Sequence, residues 1–170
     1  AECEPYITSD YRRILENTEE LVSGMRVLLS LFPNAEGIFA VEDNKKDCID
    51  KLKSAISVEP RMRVAVLMTK YPQGAERQLI YTVTKKAINS SMLPADAGCI
   101  VDNVETLIGI HHAVIEGKPL TERIVTVSGD DIVSPGNFKV LLGTSHQELI
   151  DAAGGFITQP QKLISGGPMM

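Results

Sequence analysis

Helical and strand-like patterns of apolar residues alternate over the first part of the chain. Residues 9–32 have helical spacing and predict one or two amphipathic helices, broken near Asn17 and Thr18, with Thr18 as an N-cap. GIFAVE (37–42) and RVAVLM (63–68) are short apolar runs that predict buried strands. A helical pattern capped by Asn44 lies between them. Strand, helix and strand in this order predict a parallel α/β unit.

Two further helices follow the second strand. Residues 75–86 predict a short helix, and residues 102–119 predict a longer one that Asp102 or Asn103 would cap. Gly117 would stop the longer helix. Its side chains that we expect to face inward are Leu107, Ile110, Ala113 and Val114.

The pattern changes near residues 118–120, where we expect a domain boundary. ERIVTVSG and GNFKVLLG predict two strands, and TSHQELIDAAGG predicts a helix capped by Thr144 or Ser145. With Ser145 as the cap, Glu148 completes a capping box. QKLISGG (161–167) predicts a closing strand. Two strands, a helix and a third strand resemble a small α+β unit of the β-grasp type.

Composition and charge restrict the function. The formal net charge of −5 argues against a general nucleic-acid binder, which needs a basic face. No apolar run approaches the ~20 residues that span a bilayer. Cys3, Cys48 and Cys99 are odd in number and far apart in sequence, a pattern typical of neither a disulfide framework nor a metal-ligand cluster, which favours a reducing compartment such as the cytoplasm.

Polar residues occupy two turns that lead into predicted helices, YPQGAE and VDNVET, and AECEPY would be a third if a strand preceded it. Ligands of parallel sheets lie at the edge where strands lead into helices, and helix N-termini there suit phosphates. Sugar hydroxyls can donate hydrogen bonds to the carboxylates of Glu2, Glu4 and Glu76, the last of which follows Gly74 in the same turn. Asn103 has both a donor and an acceptor for the edge of a heterocyclic ring. A flavin or a nicotinamide nucleotide needs both kinds of partner. Ordinary turns explain the same residues, with Glu2 and Glu4 in solvent, Glu76 favoured by a helix dipole and Asn103 only a cap.

Four long segments strengthen the nucleotide hypothesis. AECEPYITSDYR, KYPQGAERQLIY, LPADAGCIVDNVETL and the stretch from PGNFKVLLG to LISGGPMM resemble, in the same order, the C subunit of Rnf complexes. That family is related to the flavin-bearing NADH dehydrogenase subunit of complex I, and to a cobalamin reductase of microcompartments. The YPQG form of the second segment favours the Rnf protein over the reductase.

The resemblance implies the fold, the domains and the site residues. The α/β chain would comprise a partial Rossmann-like FMN/NADH-binding domain (1–118) and a β-grasp soluble-ligand-binding, or SLBB, domain (119–170). Glu4 matches a position associated with the nicotinamide nucleotide. Ala1, Ala75 and Asp102 depart from the complex I pattern. The positions that match FMN contacts are Glu2, Gly74, Glu76, Asp102, Asn103 and Thr106.

The resemblance also implies an activity and its partners. The intact protein would pass electrons between NAD(H) and ferredoxin through FMN and 4Fe-4S clusters, coupled to ion translocation. It would lie peripherally on the cytoplasmic side of the inner membrane and contact other subunits of the complex. No catalytic side chain is required, because the flavin performs the chemistry. The alternatives are a cobalamin reductase and a non-enzymatic subunit-docking module.

Both ends of the chain read as cuts through structured sequence. The family's glycine-rich phosphate loop precedes the first matched segment, and its iron–sulfur domain follows the last. We therefore expect an excised fragment that is inactive alone and binds FMN and NADH weakly or not at all, because phosphate contacts from the loop would be lost.

Overall fold

The computed structural model describes Glu2 and residues 4–169, which divide into two compact units. The first unit comprises residues 10–119 together with Glu2, and the second comprises Glu4–Ser9 together with residues 120–169. The α/β fold class is confirmed, since the first unit contains a parallel sheet and the second an antiparallel one.

Two consecutive helices open the chain, as the spacing predicts. Helix α1 (Ser9–Glu16) and helix α2 (Thr18–Leu31) are separated by Asn17. The prediction that Thr18 caps α2 is wrong. Asn17 occupies the N-cap position. The Thr18 hydroxyl instead donates to the carbonyl of Ile14 one turn back, a bond that threonine side chains form within helices.

The strand, helix and strand form the predicted parallel unit. Strand β1 (Gly37–Glu42) and strand β2 (Met62–Leu67) pair in parallel along their full length, and helix α3 (Lys46–Ala55) connects them. The prediction that Asn44 caps α3 is wrong, because Lys45 precedes the helix and no side chain caps it there. Within the first turn, the carboxylate of Asp47 instead accepts from the backbone N–H of Cys48.

Helix α4 (Glu76–Thr84), a 3₁₀ turn (Pro94–Ala97) and helix α5 (Val104–Ile115) complete the first unit. Asn103, one of the two predicted alternatives, caps helix α5. Its side-chain oxygen accepts from the backbone N–H of Glu105. The predicted inward face of α5 is partly wrong: Ala113 and Val114 are exposed.

Helix α5 presents a different stripe to the core than its apolar pattern predicts. Leu107 and Ile108 are buried, Val104 packs beside them, and His111 contacts Ser23 of α2 through a 2.8 Å hydrogen bond. These positions follow helical spacing, but His111 is one of them. A search for apolar residues alone therefore did not find the face of α5 that packs on the core. The buried cluster of the unit consists of Ile14, Leu21, Val22, Leu29, Phe39, Val41, Cys48, Ile49, Leu52, Ile56, Met62, Leu107 and Ile108.

Gly24 allows α2 and α5 to approach each other closely. A Cβ atom at this position would lie 1.9 Å from the carbonyl oxygen of Leu107. The obstacle is backbone, which cannot rotate away as a flexible side chain would. The contact therefore requires glycine on α2 and sets the position of α5, the helix that begins after Asn103.

The second unit contains part of the predicted β-grasp pattern. Strand β3 (Glu122–Val127) pairs antiparallel with strand β4 (Gly136–Leu141), and helix α6 (His146–Ala152) follows. Ser145 and Glu148 form the predicted capping box.

The predicted closing strand at 161–167 does not form. Leu163 and Ile164 are more than half exposed, so burial does not stabilise a strand there, and an isolated bridge joins Ile132 to Phe156 instead. No helix among residues 2 and 4–169 is both long and apolar enough to cross a bilayer.

The segment Glu4–Ser9 is bound to the rest of the second unit by hydrogen bonds. The backbone N–H of Thr8 donates to the hydroxyl of Thr126 at 3.3 Å, and the side-chain amide of Asn137 donates to the Thr8 hydroxyl at 2.9 Å. A short piece of the N-terminal sequence thus belongs with the antiparallel sheet.

Candidate functional site

Glu2 lies in a polar cluster at the carboxyl end of β1. One carboxylate oxygen accepts from the ammonium of Lys45 at 2.8 Å, and the other accepts from the backbone N–H of Asp10 at 3.1 Å. The Glu2 side chain is only 10% exposed. The alternative that Glu2 is a solvated terminal carboxylate is therefore wrong.

Lys45 holds two carboxylates together. Its ammonium also contacts Glu42, the last residue of β1, at 3.3 Å, and the Glu42 side chain is 9% exposed. Burial alone would lower the pKa of Lys45, but the adjacent carboxylates of Glu2 and Glu42 outweigh it and raise the pKa above its ordinary value. The lysine is therefore charged at neutral pH and compensates part of the negative charge around it.

Asp10 joins Glu2 to the start of α5. Its carboxylate accepts from the side-chain amide of Asn103 at 2.6 Å, while its backbone holds Glu2. Burial raises the pKa of Asp10 and the charge of Glu2 raises it further, whereas the hydrogen bond from Asn103 opposes the change. We call Glu2, Asp10, Glu42, Lys45 and Asn103 the Asp10 cluster.

Asn103 retains hydrogen-bonding capacity despite these contacts. Its oxygen accepts from the N–H of Glu105 at 2.8 Å, and its nitrogen donates to Asp10. Each bond uses one of the two lone pairs or one of the two hydrogens of the amide. One acceptor position and one donor position therefore remain for a ligand on the exposed side chain.

An ion pair fixes the first turn of α5 against α1. The guanidinium of Arg13 contacts the two carboxylate oxygens of Glu105 at 2.8 and 3.2 Å, and both side chains are mostly buried. This fork-like geometry is the stronger kind of arginine–carboxylate contact. Asp102 and Thr106 flank this turn and are exposed.

Glu4 belongs to the second unit, whereas the Asp10 cluster belongs to the first. Its carboxylate accepts from the backbone N–H of Met169 at 2.9 Å. Gly167 lies directly against this side chain, since an added Cβ would be 2.1 Å from the Glu4 carboxyl carbon. Two glutamates that are two positions apart in sequence therefore have entirely different surroundings.

The turn at residues 71–76 leads into α4. Gly74 lies just before this helix, and Glu76 is its first residue. Gln73 is only 2% exposed, and its oxygen lies 3.4 Å from the Thr82 hydroxyl. Glu76 is exposed at the N-terminus of α4. Within residues 2 and 4–169, no hydrogen bond joins Gly74 or Glu76 to Glu2 or Asn103.

Sequence reasoning missed Asp10 and Lys45. Both had a detectable signal: Lys45 follows a buried strand within the charged run EDNKK, and Asp10 lies in the first turn of a helix. Neither signal identifies a partner, because the partners are distant in sequence. The expectations that concern Ala1 and Cys3 lie outside the described residues.

The chemistry of the cluster suits a ligand with hydroxyl and ring N–H groups. Glu2 and Asp10 offer acceptors, Asn103 offers one of each kind, and the α5 N-terminus favours anions. No group of metal-ligating side chains occurs in the part of the chain that the structure describes. Polar groups at the carboxyl end of a parallel strand are typical of α/β proteins that bind nucleotides.

Comparison with protein families supports this class. Residues 1–112 match the Nuo51 FMN-binding domain, and residues 124–170 match the SLBB domain. The chain belongs to the Nuo51 FMN-binding domain family.

Curated relatives match the whole chain, and each is the C subunit of an oxidoreductase complex. The chain is 45% identical to that of the proton-translocating ferredoxin:NAD(+) oxidoreductase complex of Clostridium ljungdahlii and 44% identical to that of the Na(+)-translocating ferredoxin:NAD(+) oxidoreductase complex of Acetobacterium woodii. It is 36% identical to that of the ion-translocating oxidoreductase complex of Cronobacter sakazakii. All 170 residues are covered in each comparison, but they span only 37%, 38% and 22% of these relatives. The predicted resemblance to the C subunit of such complexes is confirmed.

Proposed function

We propose that this chain is the flavin-facing part of a C subunit that passes electrons between NAD(H) and ferredoxin, coupled to ion translocation. The observation that supports this most directly is the Asp10 cluster, an acceptor-rich group within the segment that matches the FMN-binding domain. The names of the relatives favour this function over a cobalamin reductase or a docking module.

FMN is the proposed cofactor of the first unit, where it would supply hydride and single-electron chemistry. Glu2 would accept from hydroxyl groups, and Asn103 would use its remaining donor and acceptor positions. The N-terminus of α5 would favour an anionic group. The residues proposed to bind FMN are Glu2, Gly74, Glu76, Asp102, Asn103 and Thr106.

Glu4 is the proposed contact for the nicotinamide nucleotide. Its present bond to the Met169 backbone occupies one acceptor position of the carboxylate. A carboxylate has about four such positions, so the bond to Met169 is compatible with a ligand contact.

The wider assignments follow the same proposal. Residues 1–118 would form the FMN/NADH-binding domain and residues 119–170 the SLBB domain. The family matches at 1–112 and 124–170 support this division, although the second compact unit also includes Glu4–Ser9. In the intact protein, 4Fe-4S clusters would carry electrons onward, and other subunits and ferredoxin would be the partners. The protein would lie on the cytoplasmic side of the membrane.

The full-length polypeptide that contains this chain provides the test. FMN affinity is measured by quenching of flavin fluorescence, for the wild type, Glu2→Gln and the exposed control Glu19→Gln. We expect Glu2→Gln to weaken binding about tenfold through loss of a charge-assisted hydrogen bond, and Glu19→Gln to have no effect. NADH should bleach the visible band of the bound flavin. A wild type that neither binds FMN nor reacts with NADH would refute the proposal.

A further inference from the structure

Asp10 is not among the residues predicted to contact FMN, yet it connects two of the proposed contacts. Glu2 and Asn103 come from opposite ends of the first unit's sequence. The Asp10 backbone N–H holds Glu2 at 3.1 Å, and the Asp10 carboxylate holds Asn103 at 2.6 Å. The relative placement of these two side chains therefore depends on one residue.

A simple role at the helix N-terminus does not explain this arrangement. Asp10 lies in the first turn of α1, where the dipole favours an acidic residue. However, its carboxylate contacts Asn103 on another segment instead of a free N–H of its own helix. It is also half-buried close to the Glu2 carboxylate, an arrangement that costs folding energy and is common at functional sites.

Two neighbouring ion pairs support the bridge that Asp10 forms between Glu2 and Asn103. Lys45 fixes the second oxygen of Glu2, and the Arg13–Glu105 ion pair fixes the turn that follows Asn103. Asp10 and Arg13 both lie on α1, so one short helix orients both Glu2 and the start of α5. Such support from neighbouring residues is what a precise binding site requires.

We propose that Asp10 is a positioning residue of the flavin site, which aligns Glu2 through its backbone and Asn103 through its carboxylate. This inference rests on the proposed function. Asp10 need not touch the cofactor. Its effect on binding should pass through Asn103, whose amide would rotate away from the ligand if the bond to Asp10 were lost.

The test compares Asp10→Ala and Asp10→Asn in the full-length polypeptide, with Asp50→Ala on the exposed face of α3 as the control. D10A should weaken FMN binding about 10- to 30-fold, the equivalent of one lost hydrogen bond to a charged group. D10N keeps an oxygen that can accept from Asn103, so its affinity should stay within about threefold of the wild type. D50A should match the wild type.

A mutant cycle with Asn103→Ala separates positioning from a general structural effect. If Asp10 acts through Asn103, D10A should change FMN affinity less than about twofold in the N103A background. Circular dichroism corrects each affinity for the folded fraction. Should D10A fail to fold, Asp10→Ser replaces it, because the shorter side chain cannot span the same gap to Asn103.

The outcomes distinguish this inference from the function on which it rests. Wild-type affinity in D10A, equal losses in D10A and D10N, or an undiminished effect of D10A in the N103A background would each overturn the positioning role alone. A wild type without FMN affinity would overturn the proposed function and this role together. Loss in D10A, rescue in D10N and non-additivity with N103A would support the inference.

Discussion

The Asp10 cluster and the turn at residues 71–76 are both polar regions that follow a strand of the parallel sheet, but they are stabilised differently. The strand before the turn, β2, is only partly buried, so the prediction of a buried strand at 63–68 is wrong. In the cluster, Glu2, Lys45 and Asn103 come from separate segments and meet through ion pairs and side-chain hydrogen bonds. The turn is closed by its own backbone, with the N–H of Gln73 donating to the carbonyl of Lys70 at 2.9 Å.

This difference determines how each region responds to change. A site assembled from distant segments depends on the packing of the helices that carry them, so substitutions far from the ligand can disturb it. A locally closed turn keeps its shape when its surroundings change. We therefore expect large effects from substitutions that disturb the cluster and smaller effects from substitutions in the turn.

Gly24→Ala should produce the largest effect. Alanine gains up to about 1 kcal/mol of helix propensity over glycine. The added Cβ would nevertheless collide with the Leu107 backbone at 1.9 Å, so α5 must move, at a cost of about 3 kcal/mol or more. Urea unfolding measures the net loss. Gly136→Ala is the control, because its Cβ would meet only the Phe138 ring at an ordinary 3.8 Å. Equal stability of both variants would contradict the close helix contact.

Lys45→Met should have the next largest effect, because it leaves Glu2 and Glu42 mostly buried without their shared cation. We expect the free energy of unfolding to fall by about 2–3 kcal/mol at neutral pH. Lys46→Met, at the exposed first position of α3, is the control and should be nearly neutral.

The pH dependence of the Lys45 effect follows from the sign of its shift. The pKa of Lys45 is raised in the folded state, so its stabilisation is fully present below the ordinary value of 10.5 and disappears as the pH rises through the folded value. The stability difference between wild type and K45M should therefore be constant near neutral pH and shrink only above 10.5. A difference that already vanishes at neutral pH would exclude this ion pair as its source.

Gln73→Ala should have a moderate effect on the turn. The buried side chain loses its packing and its contact with Thr82, but Thr82 still donates to the Gln78 carbonyl at 2.8 Å. We expect a loss of about 1 kcal/mol in urea unfolding, against no change for the exposed control Gln161→Ala. A loss as large as that of K45M would show that the turn is not locally stabilised.

Glu76→Gln should have the smallest effect on stability, below about 0.5 kcal/mol, because only its interaction with the α4 dipole is lost. Glu19→Gln is the matched control in the first turn of α2. If Glu76 contacts FMN as proposed, Glu76→Gln should lower FMN affinity while unfolding is unchanged, and Glu19→Gln should alter neither. Unchanged affinity in both variants would remove Glu76 from the proposed site.

Local patterns predicted most of the secondary structure. Apolar periodicity located the strands GIFAVE and RVAVLM, and the Ser145–Glu148 capping box appeared as expected because both partners lie within one turn. Thr18 and Asn44 failed as caps because each helix begins one residue away from the position that the pattern indicates: Thr18 is the first residue of α2, and α3 begins at Lys46. The segment 161–167 failed as a strand because its two large apolar side chains, Leu163 and Ile164, are more than half exposed.

The candidate site was less predictable because it depends on partners that are distant in sequence. Asn103 was predicted as one of two possible helix caps from its neighbours. Asp10 and Lys45 are important through Glu2 and Asn103, and no local pattern connects them to these partners. Glu2 and Glu4 were both predicted to lie in the same polar turn. Their separation into different units follows from the path of the chain, which periodicity does not report.

The attachment of Glu4–Ser9 to the second unit affects how this protein can be dissected. A single cut after Pro119 would leave the antiparallel sheet without the N-terminal segment that supplies the partners of Asn137 and Met169. Grafting residues 4–9 back through a flexible linker would restore those partners in an otherwise truncated polypeptide. A minimal version of the second unit is therefore discontinuous in sequence, and domain exchanges between relatives should transfer both pieces together.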